Sequence, residues 1–139
     1  MKAAFVHVAR GQSLPVAEGT LQRQIVELWQ RVGRRDVQLC HIGNELADTD
    51  AKRFSQARLG MWSGVPDLVF FTPASEPLAF MELKATGKRV ANKGAQNTAR
   101  EWIESAGHRW AQINDFDDAY EQLCKWGLLR YADGRRTLP

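Results

Sequence analysis

The sequence predicts a small α/β domain, one sheet with helices on both of its faces. Three observations carry that reading. Leu21, Ile25, Leu28, Trp29 and Val32 recur at helical spacing ahead of a glycine. Two short apolar runs, Gly64 to Phe71 and Leu78 to Lys84, have strand length and are separated by a turn bounded by Pro73 and Pro77. A second helical period, a further apolar run and a third helical period then alternate, an order that builds a layered α/β sheet.

Taken in order, Phe5 to Val8 is a strand candidate ahead of a turn-like break at Gly11 to Ser13, and residues 1–14 are expected to be a loose end. The first helix is expected from Pro15 to Gly33, where the glycine stops it. Val37 to Ile42 reads as a strand. Gly43 to Gly64 is a long polar and basic connection carrying Lys52, Arg53 and Arg58, and connections of that length usually carry function. Strands are expected over 67–72 and 78–85, then a Gly/Lys/Arg/Asn-rich loop over 86–94. Asn92 to Ala106 reads as a helix with Ala95, Ala99, Trp102, Ile103 and Ala106 on its buried stripe and Gly107 at its stop. Arg109 to Ile113 is another strand. Asp117 to Trp126 is a helix whose first-turn acids suit its positive end, and residues 131–139 are a second loose end.

One domain across residues 1–139 is the natural division, and a core forms at this length without staples. The net charge is +3 and the pI about 9.1, which suits a phosphate-bearing partner. Cys40 and Cys124 lie in apolar contexts without C-x-x-C spacing and read as reduced thiols. No apolar run approaches the roughly 20 residues of a membrane helix, so no membrane partner and a cytoplasmic location are expected.

The chemistry sits in Pro66-Asp67 and Glu82-Leu83-Lys84, charges placed inside apolar strands. Such charges are rare unless paired or bound to metal. Side chains alternate along a strand, so Glu82 and Lys84 share a face while Leu83 points to the other. Asp67, at the start of the neighbouring strand, reaches the same spot. Two carboxylates about 4 Å apart repel by about 4 kcal/mol at an effective dielectric near 20, and a divalent cation offsets that directly. Oxygen ligation, with the Leu83 backbone carbonyl as an extra ligand, suits Mg²⁺ or Mn²⁺. Lys84 would then orient or deprotonate an attacking water. That set performs metal-assisted phosphodiester hydrolysis.

In these residues the chain resembles the PD-(D/E)xK nuclease superfamily, and within it the VRR-NUC (virus-type replication-repair nuclease) family. The resemblance runs from Glu18 to about Trp126. It is carried by Glu18 to Gln22, by residues 57–68 ending in Pro66-Asp67-Leu68, by Phe80 to Lys84, and by Gln96 through Gly107-His108. It implies a restriction-endonuclease-like core, a central mixed β-sheet flanked by helices. It implies that Asp67 and Glu82 bind the metal, that Lys84 is catalytic, that the helix residue Gln96 assists around the water or phosphate, and that Glu18 contributes to metal binding. It implies a stand-alone DNA endonuclease of phage or bacterial type, similar to Holliday-junction resolvases, acting on branched DNA as a homodimer, in the host cytoplasm if phage-encoded.

Plainer readings stand beside these. Asp67, Glu82 and Lys84 also fit a salt bridge at a strand end. Glu18 fits a first-turn acid serving the helix dipole. Lys88, Arg89, Lys93 and Arg58 are candidate DNA-phosphate contacts, or a solvated basic surface. His7, His41 and His108 lack metal-ligand spacing and read as structural. Trp29, Trp102 and Trp126 fall on helix core stripes, whereas Trp62 is a candidate for nucleic-acid or dimer contact. A non-cleaving DNA-binding module and a nuclease subunit of a larger phage or repair assembly are the competing functions. The absence of a Gly-rich phosphate loop and of a nucleophile elbow argues against other α/β enzymes.

Overall fold

A computed structural model describes residues 16–42, 51–52, 55, 58–60, 62–84 and 94–131. Helix α1 spans Val16–Val32, and strand β1 spans Gln38–His41. Strands β2, Leu68–Phe71, and β3, Ala79–Leu83, follow. Helix α2 is Gly94–Ser105, strand β4 Arg109–Ile113 and helix α3 Phe116–Lys125. Ala51, Lys52, Ser55 and Arg58, inside the long connection, are also helical and exposed. The strand candidate at Phe5 to Val8 lies outside the described residues.

The strands form one sheet in the order β1-β2-β3-β4. β1 pairs antiparallel with β2, β2 antiparallel with β3, and β3 parallel with β4, so the sheet is mixed. The parallel pair is joined through α2, as a crossover requires. With a helix or helices on each face, the arrangement is the restriction-endonuclease-like α/β sandwich expected from the sequence.

Alternation along the strands divides the two faces. Leu39, Leu68, Phe70, Ala79, Met81, Leu83 and Ile113 join the α1 stripe of Leu21, Ile25, Leu28, Trp29 and Val32 in the main core. Ala119, Tyr120 and Leu123 of α3 close it. The Trp29 ring meets Phe70 edge-on, with centroids 5.0 Å apart. Each such large side chain removed from water contributes about 1.5–3 kcal/mol, so this face holds the sheet rigid. The opposite face carries Val69 and Glu82 beneath α2, whose Ala99 and Ile103 are buried outside the main core.

The α2 stripe differs from its expected position. Ala95 and Ala106 are exposed, and Trp102 is 66% exposed rather than packed. The face turned to the sheet is Gln96, Ala99 and Ile103, spaced i, i+3, i+7. Trp102 stands one position off that stripe, about 100° around the helix. Helix α3 starts one residue earlier than the acids suggest, because Asp115 caps it by accepting from the Asp118 N–H at 2.8 Å. Trp126 is half-buried, with the Arg109 guanidinium 5.8 Å from its ring. Cys40 and Cys124 are free and partly buried. Among the described residues no helix is long and apolar enough to cross a membrane.

Candidate active site

The two acids of the motif meet at one end of the sheet. Pro66 is fully buried and leads the chain into β2, a place in a strand where a missing N–H costs nothing. Leu68 pairs with Met81, and one further step in that antiparallel register sets Asp67 across from Glu82. The Ile42 N–H donates to the Asp67 carbonyl at 2.8 Å. The Leu83 N–H donates to Asp67 Oδ2 at 2.7 Å, so backbone on both sides fixes this carboxylate. Leu83 itself points into the main core, as alternation requires.

Lys84 follows β3 directly and is anchored by its N–H, which donates to the Ile113 carbonyl at 2.9 Å. Its ammonium donates to Gln96 Oε1 at 3.1 Å and to Glu82 Oε1 at 3.4 Å. Gln96, in the first turn of α2, donates from Nε2 to the same Glu82 oxygen at 2.9 Å. Acid, lysine and amide thus close a triangle, each fixing the others' rotamers. Gln96 faces the sheet, as its spacing from Ala99 and Ile103 suggests.

Burial sets the electrostatics. Glu82 is 6% exposed, and loss of water pushes its carboxyl up to about 8, helped by the neighbouring Asp67 charge and opposed by Lys84. Asp67 is pushed up to about 6, again chiefly by burial, with the Leu83 N–H pulling the other way and the Glu18 charge raising it further. Two acids forced toward neutrality side by side call for positive charge. The oxygen-only donors fit a hard divalent cation, so the residues present suit the Mg²⁺ or Mn²⁺ that the sequence implies. Among the described residues no three His, Cys, Asp or Glu side chains cluster closely enough to hold a metal by themselves. Glu18, half-buried in α1, therefore acts on Asp67 and Glu82 through its charge rather than as a member of a compact triad.

The remaining sequence candidates lie apart or outside. Arg58 is exposed on the helical stretch before Gly60. Lys88, Arg89 and Lys93 lie outside the described residues, as does His7. His41 is buried on β1, and His108 Nδ1 accepts from the Leu78 N–H at 2.9 Å, a structural bond. Trp62 is 42% exposed just ahead of the site.

Three features escaped the sequence reading. Gln22, one turn after Glu18, is only 5% exposed; its place on the stripe with Glu18 and Ile25 was the available signal. Gln112 pairs with Glu82 across β3 and β4, and its Nε2 donates to Asn114 Oδ1 at 3.2 Å. These amides extend the polar floor beside the acids, and a glutamine inside an apolar strand was their signal. Gly64 packs on the start of α2, which nothing in the sequence foretells.

No family model and no curated protein matches the sequence. Among solved structures, a "VRR_NUC domain protein" superposes over 82% of this chain and 90% of its own, at 16% identity and a TM-score of 0.59. Sheet order, mixed pairing and flanking helices of this chain therefore have a solved counterpart. The chain has the fold of that VRR_NUC domain protein.

Proposed function

We propose that this protein is an Mg²⁺- or Mn²⁺-dependent endodeoxyribonuclease that hydrolyses phosphodiesters in branched DNA and acts as a homodimer. One observation carries the reading: two buried carboxylates, Asp67 and Glu82, share a sheet face with Lys84 and Gln96 in one hydrogen-bonded set. A salt bridge at a strand end would need one acid for one lysine. The second acid, buried and pushed toward neutrality, serves no structural purpose there.

Asp67, Glu82 and the Leu83 carbonyl would hold the cation, with Glu18 adding negative charge from α1. The cation supplies Lewis-acid and charge-neutralising chemistry at the phosphate. Lys84 orients the attacking water, takes up or shares its proton, and meets the charge that grows on the phosphate oxygens. Gln96 holds Lys84 and Glu82 in register, so that the ammonium faces the substrate rather than folding onto the acid. Arg58, Lys88, Arg89 and Lys93 contact flanking DNA phosphates, in keeping with the net charge of +3. A homodimer places two such sites to cut paired strands of a symmetric junction.

The test is cleavage of a labelled four-way junction, with flap and linear duplex controls, in Mg²⁺, in Mn²⁺ and in EDTA. Paired symmetric nicks abolished by EDTA are expected. Cutting confined to flaps or linear DNA removes the junction preference, and binding without cutting in any metal overturns the nuclease reading.

A further inference from the structure

We infer that Gly64 is a positioning residue, whose bare Cα seats the loop leading to Asp67 against the first turn of α2 and so sets Gln96 against Lys84 and Glu82. The inference rests on the proposed nuclease chemistry for its kinetic consequence, and on geometry for the rest.

Gly64 has a φ of 83°, in the left-handed region that favours glycine. It also stands where no side chain fits. A Cβ there would lie 2.7 Å from the Gln96 backbone nitrogen and closer still to the Ala95 carbonyl. Those atoms are backbone at the start of a helix, which cannot swing aside as a flexible side chain can. Any Cβ therefore pushes α2 away from the Asp67 loop. Gln96 is the residue at that contact, and its amide makes both bonds that organise Lys84 and Glu82, at 3.1 and 2.9 Å. Gly64 and Asp67 are three residues apart, so one loop spaces the metal-side acid and the helix-borne amide. Gly60 supplies an internal control: its φ is 87°, yet a Cβ added there meets nothing within 4 Å.

The experiment compares Gly64→Ala, Gly64→Asn and Gly60→Ala, each alone and the first two also with Gln96→Ala. Asparagine tolerates left-handed backbone but still carries the offending Cβ, so it separates crowding from backbone strain and serves if the alanine variant is unfolded. Junction cleavage and the side-chain amide NMR signals of Gln96 are read together, with melting temperatures alongside. Both Gly64 variants are expected to lower kcat on the order of 100-fold, the effect of an ångström-scale misplacement, with KM little moved. Each should lose less than about twofold further activity in the Gln96→Ala background. The Gln96 amide signals should move toward the position of a solvated glutamine in both, while Gly60→Ala leaves kcat and signals unchanged. Losses that add fully to those of Gln96→Ala, or Gln96 signals unmoved by Gly64→Asn, overturn the inference. If the wild type cuts no DNA, the nuclease reading fails, and the amide signals alone still decide what Gly64 does.

Discussion

Replacing Glu82 by glutamine should stabilise the metal-free protein, and only above mildly acidic pH. Glu82 titrates at about 8 in the folded chain against an ordinary 4.5, because burial and the Asp67 charge disfavour its ionised form. Between those two values the folded state holds a proton that the unfolded state has released. The stability this group allows is therefore whole below about pH 4.5 and is lost as pH rises toward 8. Three and a half pH units at about 1.4 kcal/mol each place the loss at about 5 kcal/mol by pH 8, and at about 3 kcal/mol by pH 7. Glu82→Gln removes that loss and keeps an oxygen for the Gln96 amide. For a chain of this length 1 kcal/mol is worth about 3 °C in Tm. In EDTA the variant should melt on the order of 10 °C above wild type at pH 8, and within about 2 °C of it at pH 5. Thermal unfolding followed by circular dichroism from pH 5 to 8.5 measures this. Saturating Mn²⁺ should raise the wild-type Tm at pH 8 by more than that of the variant. A difference flat in pH, or a variant less stable at pH 8, would refute the argument that Glu82 is a strained acid awaiting a cation.

Three further outcomes follow from the same structure. Lys84→Ala should abolish junction cleavage while leaving DNA binding within about twofold in a mobility-shift assay, because the ammonium is one charge among several basic residues. Trp102→Gln should change unfolding free energy by no more than about 0.5 kcal/mol, as expected of an exposed side chain, whereas Trp29→Ala, at a fully buried site, should cost about 3–5 kcal/mol in denaturant titration. Asp115→Ala should cost about 1 kcal/mol through loss of the α3 cap, with no effect on kcat.

The sequence disclosed most of the fold because its strands and helices are locally consistent. The α1 stripe, the strand at Arg109 to Ile113 and the alternation around Glu82 are periodic patterns, and periodicity survives without tertiary information. The opposite face of Leu83 and the shared face of Glu82 and Lys84 followed from alternation alone. Trp102 was misassigned because its size drew the eye, while the small Ala95 and Ala106 give a helix face no direction. A polar residue, Gln96, holds the sheet-facing place instead, for chemistry rather than packing. Asp115 was passed over because three acids within four residues compete for one cap. The contact of Gly64 with Ala95 and the pairing of Gln112 with Glu82 join segments about 30 residues apart. No local pattern encodes such contacts, which is why the supporting parts of the site were the least legible.

The central claim is that Asp67 and Glu82 together hold a cation for DNA hydrolysis. Its most direct test is junction cleavage across a Mn²⁺ titration by wild type, Asp67→Asn and Glu82→Gln, with binding of the uncut junction measured in parallel. The account predicts saturable, EDTA-sensitive cutting by wild type, no cutting by either variant, and junction binding retained by all three. Cutting at the wild-type rate by either variant, or by wild type in EDTA, would contradict it.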